Sequence, residues 1–322
     1  MNNMLTIAKK EFQDIFRSRT FSIILVLLLV LTATSILVST LVFKSQVSQY
    51  ESSLALLLSM GKTPTEAAPQ LYPLNLLRGV VDYIEIIGAI IGILLGYLSI
   101  AKEKNTRTMK LLLSKPITKK DIVFGKITGN FLFVSLTIVF VAAMILASFL
   151  AIGGISLTAV DYYKILAVVI LSIAYIMVFF TLSFFLSIQQ KSLSNALMIC
   201  FTIWLVFVLV LPQIGDTMDP DNQVPGGFFK SMGFDKPQEK AVMAKFSGYE
   251  NTRDFIEQLS VTKHYERAGF AIFGVKTKYN DMPFPDILAD QWFNIVSVFG
   301  LLAAGIFADA FIMYRNREAW SV

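Results

Sequence analysis

Six long apolar segments dominate this chain and leave few folds open to it. They cover residues 21–43, 86–101, 127–160, 165–190, 192–215 and 291–308, and none of them contains Asp, Glu, Lys or Arg. The hydrocarbon core of a bilayer is about 30 Å thick, so about 20 apolar helical residues span it. Lipid offers no hydrogen-bond partners to the backbone, so such segments must be helical. The sequence therefore predicts an all-α polytopic membrane protein with six transmembrane helices.

The composition agrees with a membrane protein. Charged residues make up 16% of the 322 residues, whereas about 25% is usual for a soluble domain. The net charge of +5 does not predict a nucleic-acid partner, because the basic residues flank the apolar segments. Cys200 and His264 are the only residues of their types, so we expect neither an intrachain disulfide nor a metal site built from these side chains. Membrane lipid is the expected surrounding.

Basic residues predict how the chain is oriented. Lys and Arg concentrate in the short cytoplasmic loops of membrane proteins. Here they concentrate before the first segment, between the second and third, before the fifth, and after the sixth. We therefore predict that both termini lie in the cytoplasm, that the protein is a multi-pass protein of the cytoplasmic membrane, and that residues 213–290 lie outside. The basic residues that set this orientation are Lys9, Lys10, Arg17, Arg19, Lys102, Lys104, Arg107, Lys110, Lys115, Lys119, Lys120, Lys126, Lys191, Arg315 and Arg317.

The chain is predicted to have four parts. Residues 1–20 form an amphipathic interfacial helix, and residues 21–212 hold the first five spans, with a cytoplasmic region at 102–126. Residues 213–290 are charged and rich in turn signals such as Asp219-Pro220, which indicates an extracytoplasmic loop domain inserted before the last span. Such a domain is a candidate for an extracytoplasmic partner. Residues 291–322 form the sixth span and a cytoplasmic tail.

The predicted N-terminal helix separates its apolar and charged residues. A basic amphipathic helix beside a span lies in the headgroup plane; the simpler alternative is a basic flank with no specific role. The apolar side holds Leu5, Ala8, Phe12, Ile15 and Phe16, and the other side holds Lys9, Lys10, Gln13, Asp14 and Arg17.

The 102–126 region is predicted to form two short helices that meet at a proline corner. Pro116 ends the first helix, because a proline disfavours the helical conformation of the residue before it. Thr118 is a suitable N-cap for the second helix, with Asp121 at the position that completes a capping box. The corner displays apolar side chains, which either dock a partner or rest on the membrane surface.

Two motifs in these cytoplasmic elements resemble those of a known family. Residues 8–12 (AKKEF) and 14–19 (DIFRSR) resemble the N-terminal signature of type-2 ABC transporter permeases. Residues 103–104 (EK), 108–109 (TM), 111–117 (LLLSKPI) and 125–126 (GK) resemble the cytoplasmic motif that follows the second span in that family.

This resemblance implies a function and partners. It implies the permease subunit of an ATP-driven exporter that works as a homodimer, or with a related permease, beside separate ABC ATPase subunits. ATP and Mg²⁺ then bind to the ATPase, and this chain needs no cofactor and is not an enzyme. The residues implied to couple to the ATPase are Glu103, Leu112, Leu113, Pro116 and Ile117.

Two groups of residues are candidates for the pathway or for packing. Gly88, Gly92 and Gly96 form a small-residue stripe, which lets helices approach closely and favours packing within one subunit over a pathway role. The resemblance implies that spans two and five flank the pathway, so the polar residues Asn195, Thr202 and Trp204 are its candidate lining. Asp309 is an ionisable group in the last span, which we expect to pair with Arg315 or Arg317.

A second function remains compatible with the sequence. A non-transporting membrane scaffold or sensor, whose outer domain binds a partner, needs the same spans and the same loop. No residue pattern specifies a substrate.

Overall fold

Helices form every regular element of the part of the chain that the structure describes, which covers residues 3–60, 72–105, 117–152, 157–218, 228–245 and 247–315. In this computed structural model, six helical segments are long and apolar enough to cross a bilayer. The prediction of an all-α polytopic membrane protein with six spans is therefore confirmed.

The N-terminal helix and the first five spans follow one another in the chain. Helix α1 (Asn3–Phe16) precedes span 1, which is α2 (Arg19–Ser59). Span 2 consists of a 3-10 turn (Pro73–Leu77), α3 (Arg78–Tyr83), a π-helical turn (Ile84–Gly88) and α4 (Ala89–Asn105). Span 3 is α5 (Lys119–Ile152) and span 4 is α6 (Ala159–Gln189). Span 5 consists of α7 (Leu193–Leu205), a π-helical turn (Val206–Val210) and α8 (Leu211–Met218).

Short helices separate span 5 from span 6. They are α9 (Phe228–Ser231), α10 (Lys236–Lys245), α11 (Ser247–Gln258), α12 (Val261–Ile272), a 3-10 turn (Thr277–Tyr279) and α13 (Phe284–Asp290). Span 6 is α14 (Trp292–Arg315).

Side-chain caps fix where several helices begin. Span 4 starts with a capping box, in which the Asp161 amide donates to Thr158 Oγ1 (3.4 Å) and the Thr158 amide donates to Asp161 Oδ2 (2.8 Å). Ser18 is the N-cap of span 1 and accepts a hydrogen bond from the Phe21 amide. Such caps satisfy amides that lack partners within the helix, so spans 1 and 4 begin at defined residues.

Span 4 lies at the centre of the bundle. It packs against spans 2, 3, 5 and 6 and against α12, most extensively along span 2. Its fully buried side chains include Tyr175, Phe179, Phe180 and Phe184. Spans 1, 5 and 6 instead expose most of their apolar surface, so this surface is available to lipid or to other membrane subunits.

Helix α12 is inserted into the bundle. It packs against spans 2, 4 and 6, and most of its residues are buried, including Lys263, Tyr265 and Phe270. The 213–290 segment, predicted to be a loop domain, therefore packs against the spans through α12. His264 is also buried here, with its Nδ1 2.7 Å from Asn294 Oδ1 of span 6.

Candidate functional site

A buried ion cluster joins α1, span 2 and span 3. The ammonium group of Lys126 lies 2.8 Å from Glu11 Oε1 and 2.9 Å from Glu103 Oε1. The three side chains are exposed by only 1%, 9% and 5%, respectively. We call Glu11, Glu103 and Lys126 the Lys126 cluster. Two of its residues, Glu103 and Lys126, belong to the 102–126 region, to which the sequence assigned coupling.

Every proton of the Lys126 ammonium group has an acceptor. A lysine has three donors, and the third hydrogen bond goes to the Ser99 carbonyl oxygen at 2.6 Å. Asn130, one turn further along span 3, donates to Ser99 Oγ (3.0 Å) and to the Lys126 carbonyl oxygen (2.9 Å). A buried charge is tolerated only when it is paired and hydrogen-bonded. The surroundings of Lys126 meet both conditions and hold its side chain in one position.

Two glycines let α1 lie directly on span 3. A Cβ atom at Gly125 would come within 2.8 Å of Ile7 Cβ, and one at Gly129 would come within 2.6 Å of the Ala8 carbonyl oxygen. A larger residue at either position would push α1 away from span 3. The close approach brings Glu11 within reach of Lys126.

The buried face of α1 differs from the predicted one. The prediction placed Leu5 and Phe16 on the apolar face, but these side chains are 59% and 52% exposed. The residues that pack on the protein are Ile7, Ala8, Glu11 and Ile15. Ala8 and Ile15 were predicted for this face, and Phe12 also packs on the core. The buried face is shifted toward Ile7 and Glu11, because α1 packs against span 3, where the carboxylate of Glu11 has a partner.

Aromatic side chains also fix α1 to span 3. The ring of Phe133, which is 1% exposed, lies 5.1 Å from Phe16 of α1, centroid to centroid, in edge-to-face geometry. Phe21, at the start of span 1, lies 4.8 Å from the same ring, also edge-to-face. Phe12 lies 6.1 Å from the same ring. Such aromatic pairs add about 0.5–1.5 kcal/mol each beyond their burial, so α1 and span 3 form one stable unit.

The start of span 3 has the predicted capping box. The Asp121 amide donates to Thr118 Oγ1 (3.1 Å), and the Thr118 amide donates to Asp121 Oδ2 (3.2 Å). Ile117 is half-buried and packs on the core. Leu112, Leu113 and Pro116 lie outside the described residues. Of the predicted coupling residues, Glu103 is buried against Lys126, and its role in coupling stays a prediction.

Lys104 ties the end of span 2 to the end of span 4. Its ammonium group donates to the carbonyl oxygens of Ser187 (2.8 Å), Ile188 (3.3 Å) and Gln190 (2.9 Å). These are among the last carbonyls of span 4, which lack partners within the helix, and a cation is favourable at this end of the helix dipole. Two neighbouring residues at the end of span 2 thus contact different helices: Glu103 contacts span 3 and Lys104 contacts span 4.

The glycine stripe of span 2 lies against span 4. A Cβ atom at Gly88 would come within 3.0 Å of Ile176 Cγ1. Cβ atoms at Gly92 and Gly96 would collide with the carbonyl oxygens of Ile176 and Phe180. The helices approach so closely that Ser183 Oγ donates to the Ile93 carbonyl oxygen at 2.7 Å. The stripe lies between two spans of one chain. A pathway role, which the sequence favoured less than packing, is not tested by these contacts.

Comparison with known families identifies the architecture. The model of the ABC-2 family transporter proteins matches residues 5–319, nearly the whole chain. The chain belongs to this family. It is thus the permease component of an ABC transporter, a membrane transport protein. No curated protein sequence matches it.

The predicted pathway residues of span 5 lie apart from the glycine stripe of this ABC-2 permease. Asn195 and Thr202 are exposed on the surface of the span, and Thr202 Oγ1 donates to the Met198 carbonyl oxygen of its own helix (2.9 Å). Trp204 is half-buried beside Phe201. Their role in a pathway stays a prediction.

Hydroxyl groups bind the backbone at both π-helical turns of the permease. Tyr175 Oη donates to the Glu85 carbonyl oxygen in span 2 (2.7 Å), and Ser260 Oγ donates to the Phe207 carbonyl oxygen in span 5. A π-helical turn interrupts the regular hydrogen-bond ladder, so these hydroxyls satisfy carbonyls at the interruption. Tyr265 of α12 stacks on Tyr175 (4.4 Å) and lies 2.8 Å from Ser172 Oγ. Together these contacts fix α12 against spans 2, 4 and 5.

Asp309 is a buried carboxyl group in span 6. The residue is 0% exposed, and neither carboxylate oxygen has a hydrogen-bond partner among the described side chains. The predicted pairing with Arg315 or Arg317 remains a prediction, because these side chains lie outside the described part of the chain. An ionisable group inside a span is costly and often functional.

An ionic contact fixes the point where the chain enters span 6. The carboxylate of Asp290 accepts hydrogen bonds from Lys278 Nζ (2.8 Å), Tyr279 Oη (2.7 Å) and Gln291 Nε2 (2.9 Å). The bond from Lys278, followed by that from Tyr279, lowers the pKa of Asp290 to about 2. The carboxylate is therefore charged at physiological pH and holds the Thr277–Tyr279 turn against the junction of α13 and span 6.

The sequence motifs contain Glu11 and Lys126, but Glu11 was given no role and Lys126 only that of a basic residue that sets the orientation. Two signals could have identified them. Glu11 has the same helical spacing as Ile7 and Ile15, so it lies on their face of α1. Lys126 follows Gly125, and a glycine in a span often marks close approach by another helix. A lysine at such a place requires a carboxylate partner.

Proposed function

We propose that this permease is the membrane subunit of an ATP-driven exporter in the cytoplasmic membrane. It works as a dimer, with itself or with a related permease, beside two separate ABC ATPase subunits that bind ATP and Mg²⁺. Family membership over residues 5–319 supports the permease role, and the Lys126 cluster at the start of span 3 supports ATP-driven coupling. The cluster is the observation that carries the proposal.

The contacts around span 3 supply a route for mechanical coupling. The ATPase binds the corner formed by Leu112, Leu113, Pro116 and Ile117. Motion of this corner moves the first turn of span 3, which begins at the Thr118 cap. Lys126 passes that motion to α1 through Glu11 and to span 2 through Glu103.

A second ion pair strengthens the connection between α1 and span 2. Lys102 Nζ lies 2.6 Å from Asp14 Oδ2. The pair is largely exposed, so it contributes little by itself, but it holds α1 beside the end of span 2. Motion of the corner therefore moves α1, span 2 and span 3 as one body, and Lys104 transmits it to span 4.

Copurification of the wild-type protein tests the proposal. The full chain carries an affinity tag and is isolated from its own membrane in mild detergent. We expect an ATPase with a phosphate-binding loop to copurify in equal amount, and the complex to hydrolyse ATP. Isolation of the chain without any ATPase would contradict the proposal and support the scaffold or sensor function.

The proposed orientation makes a labelling prediction. In a Cys200→Ala background, a cysteine replacing Ser247 in the 213–290 segment should react with a membrane-impermeant maleimide in intact cells. A cysteine replacing Ser114 should react only after the membrane is opened, because the 102–126 region faces the cytoplasm. The reverse pattern of labelling would contradict the orientation of all six spans.

A further inference from the structure

An apolar cleft of about 450 Å³ opens between spans 5 and 6. Span 4 forms its floor with Phe179, Thr181 and Phe185, and Leu259 and Val261 cover one end, where α11 leads into α12. The volume lies within the range of about 300–1,000 Å³ that is typical of ligand pockets. This cleft is separate from the Lys126 cluster and from the glycine stripe.

The lining of the cleft is suited to hydrocarbon. Spans 5 and 6 contribute Ile203, Phe207, Leu301 and Ala304, which have no polar side-chain atoms. Thr181 has a hydroxyl group, but it donates to the Val178 carbonyl oxygen of its own helix at 2.9 Å. A ligand with polar groups would lose its hydration here without gaining hydrogen-bond partners, whereas an apolar chain has no hydrogen bonds to lose.

The depth of the cleft excludes a lipid headgroup. Leu301 and Ala308 mark its extent along span 6, and they lie about 14 Å and about 24 Å along the helix from Trp292, at about 1.5 Å per residue. Trp residues mark the interface of a membrane, and the hydrocarbon core is about 30 Å thick. The cleft therefore lies near the middle of the bilayer.

The covered end excludes a membrane-spanning helix as the occupant. A helix of a second copy would need a groove of about 30 Å to cross the membrane beside span 6. The cleft extends only about 10 Å from Leu301 to Ala308, and Leu259 and Val261 line it at the end where Ser260 Oγ donates to the Phe207 carbonyl oxygen. A flexible chain can enter from the side or from the open end.

We propose that this cleft binds one acyl chain of a membrane phospholipid. The chain inserts between spans 5 and 6, ends beneath Leu259 and Val261, and packs on span 4. The acyl chain then fills the space between spans 5 and 6, so the two helices do not have to contact each other there. The ligand is defined by its hydrocarbon chain, and the headgroup lies outside the cleft.

Photolabelling in lipid nanodiscs tests this proposal. The full chain is reconstituted with a phosphatidylcholine that carries a diazirine at the middle of one acyl chain, and adducts are mapped by mass spectrometry. We expect adducts to concentrate on residues of the cleft such as Ile203, Phe207 and Leu301. A phosphatidylcholine with the diazirine on its headgroup should give no adducts there.

Matched substitutions on one helix sharpen the test. Ala304→Trp fills the cleft and should reduce these adducts about tenfold, whereas Ala303→Trp, at an exposed neighbouring position that does not line the cleft, should leave them unchanged. Ala308→Phe serves as a second filling variant if Ala304→Trp does not fold. Equal labelling of both tryptophan variants, or adducts spread evenly over the exposed spans, would overturn the proposal. Formation of a disulfide between two copies through Ala304→Cys would also overturn it, by assigning the cleft to a second subunit.

Discussion

Replacing Lys126 with methionine is expected to destabilise the folded protein by about 3–5 kcal/mol, because removing one partner leaves a buried charge uncompensated. Here two carboxylates, Glu11 and Glu103, would face each other where the ammonium group now lies between them. The Ser99 carbonyl oxygen would also lose its donor. The free energy of unfolding, measured by steric trapping in bicelles, provides the test.

Two variants control this result. Lys102→Met removes the ion pair with Asp14, in which the Lys102 side chain is 60% exposed. This substitution should lower the free energy of unfolding by less than about 1 kcal/mol. Combining Lys126→Met with Glu11→Gln and Glu103→Gln removes all three charges and should recover most of the lost stability, because neutral replacement of a buried ion cluster is often tolerated. If Lys126→Met costs no more than Lys102→Met, the Lys126 cluster does not hold the three helices together.

Gly92→Leu is expected to have the second large effect. Its Cβ atom would collide with the Ile176 carbonyl oxygen and come within 3.1 Å of the Phe180 amide nitrogen. These are backbone atoms of span 4, which cannot move aside as a flexible side chain can, so spans 2 and 4 must separate. Overpacking of a core usually costs about 1–3 kcal/mol, and we expect this variant to reach or exceed the upper value.

Gly300→Leu is the matched control for this substitution. Gly300 lies in span 6, and an added Cβ atom there would meet nothing within 4 Å. The same change should therefore be neutral or slightly stabilising, since leucine favours a helix by about 0.8 kcal/mol over glycine. The yield of monodisperse protein and the melting temperature in detergent distinguish the two variants. Equal behaviour would show that the glycine stripe is not a tight contact.

The sequence was sufficient to predict the spans and several local features. Long apolar runs predict transmembrane helices because lipid offers no hydrogen-bond partners, and a helix satisfies its backbone N–H and C=O groups within one segment. The Thr118–Asp121 capping box involves residues three apart, so its signal lies within one turn of helix. The close approach at Gly92 was likewise indicated by spacing alone.

The sequence was not sufficient for features that depend on distant contacts. Glu11 and Lys126 are far apart in the chain. The spacing that places Glu11 beside Ile7 and Ile15 on α1 does not indicate which other helix covers that face. Helix α12 contains Lys263, His264 and Glu266, which is a polar composition typical of a surface. Its burial depends on partners in other elements, such as Ser172 for Tyr265 and Asn294 for His264.

Copurification of the ATPase with a corner variant tests the central claim most directly. Leu112→Asp combined with Ile117→Asp places two charges at the proposed ATPase contact. Interface anchors are worth about 2 kcal/mol or more each, so binding should weaken by more than about a hundredfold. The control is Leu56→Asp with Leu58→Asp. Both side chains are exposed and lie near the C-terminal end of span 1. We predict that the corner variant inserts normally but loses its ATPase and its ATP turnover, while the control keeps both. An unchanged yield of ATPase and unchanged turnover with the corner variant would contradict the account.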